Sequence, residues 1–221
     1  MEGAFYVGAG AGLGGVFYSS RSHTLLDQGG GDPNSLYLDR EDGDFRYGEV
    51  FSLKSRWETP FSCHSHWLWG VELQVNKFNV AHTHQGNHLI TGDLEAHSLY
   101  KVSFHMPLMA YAVYRTESQW RWLVSLGLDV TDYAFEWKYF ENGNQVSRRH
   151  DHIYTGGMIF GLGVEKESNN CVWGLSAAVS KTFKDVDKYL NTPEVDPGFK
   201  SYQALHKPGS LSVSAHVLFK I

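Results

Sequence analysis

The sequence predicts an all-β chain: a transmembrane antiparallel up-and-down β-barrel of eight strands, with short periplasmic turns and longer extracellular loops. Residues 1–221 form its single domain. Three observations carry this expectation. Apolar residues alternate with small or polar ones at a period of two along about eight segments. The connections between segments alternate between short and long. Six of the seven tryptophans sit beside the short connections.

The first segment, 4–19, sets the pattern. Its odd positions include Phe5, Val7, Ala9, Ala11, Leu13 and Phe17, and its even positions Tyr6, Gly8, Gly10, Gly12 and Gly14. Across the chain one face is bulky and apolar, while the other is rich in Gly, Ser and charges of both signs. That suits a barrel with lipid outside and a polar lumen inside. The inward glycines leave room for long side chains from across the lumen. Further segments fall at 43–57, 66–82, 94–115, 120–140, 150–166 and 171–185, each longer than the about 9–11 tilted residues that span a bilayer. The last, 200–221, alternates Leu211, Val213, Ala215, Val217 and Phe219 with Ser212, Ser214, His216 and Leu218. Two residues mark local irregularity. Pro107 removes a ladder donor in mid-strand, and Glu49 takes lipid-facing parity.

Tight turns at 116–119 and 167–170, with a longer connection at 58–65, lie at one rim. The loops 20–42, 83–93, 141–149 and 186–199 lie at the other. Trp57, Trp67, Trp69, Trp120, Trp122 and Trp173 flank the turns with apolar parity, as an interfacial aromatic girdle on the periplasmic side requires. Only Trp137 stands near the loop rim. Phe17, Tyr47, Tyr100, Tyr154 and Phe183 make the opposite girdle. The lipid face includes Val71, Leu73, Val102, Phe104, Met106, Leu108, Leu126 and Phe160. The opposite parity gives Glu72, Lys101, Arg115, Arg121, Asp129 and Glu165, read as a lumen charge network. An eight-stranded interior is only wide enough for side chains to fill, so these charges must pair.

Whole-chain quantities agree. No run of about 18 apolar residues exists, so a transmembrane helix is excluded. Mean hydropathy is -0.33, and the formal net charge is -5 without a basic stripe, which argues against a nucleic-acid partner. Aromatics make up 14%, as interfacial girdles demand.

The opening Glu2-Gly3-Ala4-Phe5-Tyr6-Val7-Gly8-Ala9-Gly10 and the alternating last strand, ending Phe219-Lys220-Ile221, carry a family resemblance. The chain resembles the OmpA/OmpX/opacity-type superfamily of small eight-stranded outer-membrane barrels, over its whole length as architecture. The resemblance implies location in the bacterial outer membrane and a monomer in contact with membrane lipid, lipopolysaccharide included. It also implies a non-catalytic role carried by extracellular loops: adhesion, contact with host surface proteins or glycans, or envelope structure. Export requires a signal peptide. Met1-Glu2-Gly3 runs straight into the first strand, so a removed or replaced leader is expected.

Other chemistries have weaker footholds. His82-Thr83-His84 and His150-Asp151-His152 each point two imidazoles to one face of a strand, a ligand pattern for zinc or copper. His82, His84, His150 and His152 are therefore the candidate metal set, against the plainer reading of solvated loop histidines. A metal- or haem-binding barrel is the alternative they support. The carboxylates of 39–44 lack EF-hand spacing, and Cys63-His64-Ser65-His66 lacks a second nearby cysteine. Cys63 and Cys171 allow one disulfide in an oxidising periplasm. A lipid A deacylase would need a Ser–His–acid group on the lipid-facing rim, and none is evident. An omptin-type protease would use Asp/His pairs above a wider barrel, which His150-Asp151-His152 only faintly echoes. A narrow channel for small solutes requires an open lumen, which paired charges oppose.

Overall fold

The structure is a computed structural model that describes residues 3–26, 36–38, 45–62, 65–88, 94–141, 144–183, 186–191 and 199–221. Its strands are β1 (Ala4–Leu26), β2 (Leu36–Leu38), β3 (Phe45–Pro60), β4 (Trp67–Asn79), β5 (Ala81–His88), β6 (Leu94–Arg115), β7 (Trp120–Glu141), β8 (Asn144–Ser168), β9 (Cys171–Thr182), β10 (Val186–Asn191) and β11 (Phe199–Lys220). All pairings are antiparallel, and β1, β3, β4, β6, β7, β8, β9 and β11 close an eight-stranded ring. The turn β6–β7 closes with Gln119 at φ 65°, and Asn169, at φ 48°, turns β8 into β9. β8 begins at Asn144 instead of 150, so the ladder with β7 runs through most of the segment expected to be a loop.

One row of paired residues fixes the geometry. It runs Trp57–Val71–Ala110–Leu126–Phe160–Val179–Leu211–Gly15 and returns to β3 at Tyr47. The row comes back ten residues from its start, a shear of ten across eight strands. With standard strand spacings this gives a tilt of about 41° and a backbone radius of about 8 Å. Each residue then climbs about 2.5 Å along the barrel axis, and the row rises about 1.25 residues per strand.

These heights test the membrane reading. Trp57, Trp69, Trp122 and Trp173 come from four strands, yet fall within about one residue of the same height. Tyr47, Tyr154 and Phe183, all exposed, and half-buried Phe17 fall together about ten to eleven residues higher. The two belts are thus about 26 Å apart, matching an apolar band about 25 Å tall. Between them the exposed outward residues are largely apolar, among them Leu53, Val71, Leu73, Leu108, Leu126, Leu128, Phe160 and Leu175.

Two irregularities have clear causes. The β4–β6 ladder runs to Leu73↔Leu108 and resumes at Asn76↔His105, skipping the rungs beside Pro107, which has no N–H to give. The β6–β7 register shifts between Val102 and Phe104. That bulge reverses parity above it. Val102, expected on the lipid face, is buried in the lumen, and Lys101, expected in the lumen, is exposed. Gly8 and Gly12 do not make room for groups across the lumen. A Cβ on either would lie about 2 Å from a carbonyl oxygen of β11, Val217 or Val213 respectively, so the close approach of that strand requires glycine.

Above the outer belt the described residues form two separate sheets instead of a closed ring. Strands β2, β5, β6, β7 and β8 extend as one sheet, and β1, β11 and β10 as another.

Candidate functional site: a sealed charged lumen beneath projecting hairpins

The inward positions of these strands stack a connected set of charged and polar groups along the axis. Arg56 is its centre. It donates from Nη1 to both oxygens of Glu165, at 2.7 and 2.9 Å, and from Nε to Glu72 Oε2 at 2.6 Å. Arg121 donates to Glu58 Oε2 at 2.6 Å and lies 3.4 Å from Glu165 Oε2. His216 Nε2 donates to Glu165 Oε1 at 2.9 Å, and the Tyr111 hydroxyl to Glu58 Oε2 at 3.1 Å. The Arg56 guanidinium also lies over the Tyr111 ring, 5.0 Å from its centre. Toward the outer side the chain continues through Gln74, Asn76 and His105 to Asp129, which accepts from His105 Nε2 at 2.9 Å and from Thr131 at 3.2 Å. By height this network spans almost the full distance between the belts.

Of the sequence-predicted lumen residues, Glu72, Arg121, Asp129 and Glu165 are buried together in this network. Two are elsewhere. Lys101 is turned outward by the bulge, and Arg115 stands at the periplasmic rim, 45% exposed, with Glu167 at 3.8 Å. Arg115 keeps inward parity but lies below the lower mouth. Arg56 and Glu58 belong to the network, and Lys54, which donates to Ser176 at 3.2 Å, lies beside it; the sequence reading singles out none of the three. Their signal was there: even positions of 43–57 carry Lys54 and Arg56 with the same parity as Val50 and Ser52.

The polar network is capped by apolar groups at the outer mouth, while at the inner mouth it runs on from Arg121 Nη1 to the partly exposed Glu167 at 3.7 Å, between two apolar patches. Val16, Val50, Phe78, Val80, Val102 and Tyr133, with Ile153 against them, form an apolar plug at the outer mouth. Tyr6, Val172 and Leu218 form one patch at the inner mouth, and Leu68, Tyr111 and Val113 another. The free space beside Lys54, bounded by Ser52, Gln74, Ser176 and Ser214, is a cavity of about 30 Å³, room for no more than about two waters.

The girdle tryptophans pack on one another. Trp57 meets Trp69 edge-on at 5.5 Å, Trp120 meets Trp173 at 6.5 Å, Trp67 packs on Tyr114 at 5.1 Å, and the Lys166 ammonium stands 5.3 Å from the Trp120 ring. Trp122 is 59% exposed on the lipid face. The side chain of Trp137 lies outside the described residues.

The candidate metal set is divided. His82 lies in one ladder row with Tyr100, Phe135 and Asp151, so β6 and β7 stand between the two histidine pairs, roughly 14 Å of backbone spacing. The side chains of His82 and His84 lie outside the described residues. His150 and His152 do share a face, but each meets a carboxylate on β7. His152 Nδ1 is 2.8 Å from Asp132, and His150 Nε2 is 3.7 Å from Glu136. Among the described side chains no group of three or more His, Cys, Asp or Glu is placed to hold a metal ion. Segment 39–44 and Cys63 also lie outside the described residues, and with Cys63 the disulfide the two cysteines allow. Glu136 gathers Lys138 and Arg148, each at 3.0 Å. The hydrogen bond from Lys138, then the charges of Arg148, Lys138 and His150, hold its carboxyl below the ordinary glutamate range.

Lipid-facing apolar band, paired aromatic belts and sealed polar lumen define a transmembrane β-barrel of the small bacterial outer-membrane type. No protein-family model matches the chain, and no curated protein matches it in sequence. Solved structures match it in fold. The outer membrane protein OprG from Pseudomonas aeruginosa is 16% identical over 98% of this chain and 96% of its own, with TM-score 0.52. The outer membrane protease OmpT from Escherichia coli is 7% identical over 99% and 97%, also at 0.52. Neisserial surface protein A is 11% identical over the whole of both chains, at 0.48. At these identities the likeness is one of fold.

Proposed function

We propose that the protein is a non-catalytic surface protein of the outer membrane that engages host surface proteins or glycans through the hairpins above its outer belt. The β7–β8 hairpin carries this reading. Its ladder continues from Asp132↔Tyr154 to Glu141↔Asn144, a rise of about 25 Å beyond the belt, and Arg148, His150 and His152 on it are exposed. The closed lumen supports an interaction role over conduction. The test is adherence of cells that display the protein to immobilised host matrix proteins and glycans. A variant with the β7–β8 hairpin shortened between Glu136 and His150 should lose adherence while keeping the heat-modifiable gel mobility of a folded barrel. Undiminished adherence of that folded variant would overturn the proposal.

A further inference from the structure

The outer belt carries lipid-facing cations that the protein itself does not neutralise. Lys77, exposed on the outward face of β4, lies about three residues below the belt, and Lys101 lies level with it. Neither has an ion pair or hydrogen bond among the described residues. The nearest acid by sequence register, Glu49 on β3, accepts a hydrogen bond from Asn79 at 3.2 Å. Above Lys101 on the same outward face, Lys138 and Arg148 share the single carboxylate of Glu136. Asp132 faces His152, and His150 stands near Glu136. Among the described side chains in the outer half of β3, β4, β6, β7, β8 and β9 the five outward cations Lys77, Lys101, Lys138, Arg148 and Lys181 therefore face three carboxylates, Glu49, Asp132 and Glu136. Two positive charges remain even with both imidazoles neutral.

An ammonium on the lipid side below an aromatic belt sits in hydrocarbon unless its stem rises to the headgroup region, where water and lipid anions meet it. The inner half of the apolar band bears no outward charge among the described residues, so the requirement falls on the outer leaflet alone. We propose that this face binds the phosphate groups of a phosphorylated glycolipid of the outer leaflet. The lysine stems pack on its acyl chains, and the ammonium groups meet the phosphates at belt height. Lys138 and Arg148 lie about 13–16 Å above the belt, where they face the anionic sugars of the same lipid. The inference rests on the outer-membrane reading and on no host partner, so it stands or falls separately from adherence.

The experiment places the whole barrel in nanodiscs of three kinds: phosphatidylcholine alone, phosphatidylcholine with a bis-phosphorylated lipid A, and phosphatidylcholine with the same glycolipid stripped of phosphate. Glycolipid retained per barrel is read by native mass spectrometry, and stability by the urea midpoint. Wild type should retain the phosphorylated glycolipid and gain stability from it. The Lys77→Gln/Lys101→Gln variant should lose both effects, Lys77→Arg/Lys101→Arg should keep them, and Lys220→Gln at the inner rim should change neither. Equal gains from the stripped glycolipid, or an undiminished gain in the glutamine variant, would overturn the proposal. So would a gain of the same size from inorganic phosphate added to phosphatidylcholine discs, which would assign the site to free phosphate.

Discussion

Replacing Glu165 with Gln isolates what the lumen network contributes. Glu165 is fully buried and is shared by Arg56, Arg121 and His216. The substitution keeps the side-chain volume, so no cavity term enters. It removes the charge that two buried guanidinium groups have in common, leaving Arg56 with Glu72 and Arg121 with Glu58. Breaking a buried ion pair from one side costs about 3–5 kcal/mol when the partner charge is left unpaired, and because each guanidinium keeps one carboxylate here, that range is the upper bound of the expected loss. An exposed pair would cost under about 1 kcal/mol. The assay is equilibrium urea unfolding in phospholipid vesicles, followed by fluorescence of the girdle tryptophans, with Glu117→Gln in the exposed turn as the control. The Arg121→Met change added to Glu165→Gln should recover part of the loss, since it removes one of the two guanidinium charges that shared Glu165. A loss under about 1 kcal/mol for Glu165→Gln, or strictly additive effects in the double variant, would refute the idea of a coupled buried network.

Other consequences can be checked alongside. Leu126, 54% exposed on the outward face, should tolerate Arg poorly, at about 2–4 kcal/mol near the bilayer midplane, while Ser125→Ala in the lumen should fold almost normally; equal tolerance would mean the β7 parity is wrong. With an apolar plug at the outer mouth and paired charges filling the lumen below it, the purified folded barrel should give no steady conductance in planar bilayers, and a reproducible pore would contradict the sealed lumen. Because β6 and β7 separate the two histidine pairs, calorimetry with zinc or copper should find no submicromolar site that a His82→Ala/His84→Ala variant and a His150→Ala/His152→Ala variant abolish alike. Such a shared site would restore the four-histidine reading.

Much of the fold was legible because a two-residue period writes the lipid face directly into the sequence. The turns around 116–119 and 169–170, the tryptophan belt and most lumen parities follow from it. The failures occur where one local feature resets the period. A single bulge at Ser103 exchanged the roles of Lys101 and Val102, and nothing in the surrounding residues marks it. The period suggests that the β1 glycines make room for side chains, but at Gly8 and Gly12 it is the close approach of the β11 backbone that requires glycine. The apolar plug at the outer mouth was invisible for a related reason. Its members come from six strands, and each is an inward exception to a rule of polar lumens that only three-dimensional stacking makes consistent. The division of the histidine pairs likewise depends on strand order and register, which adjacency in the sequence does not reveal.

The account depends most on the hairpins facing outward from the cell and the short turns facing the periplasm. After replacing both native cysteines with serine, Ser118→Cys in the β6–β7 turn and Gln145→Cys in the β7–β8 hairpin can be exposed to a membrane-impermeant maleimide on intact cells. The account predicts labelling at 145, and at 118 only after the outer membrane is opened. Labelling at 118 with protection at 145 on intact cells would contradict it.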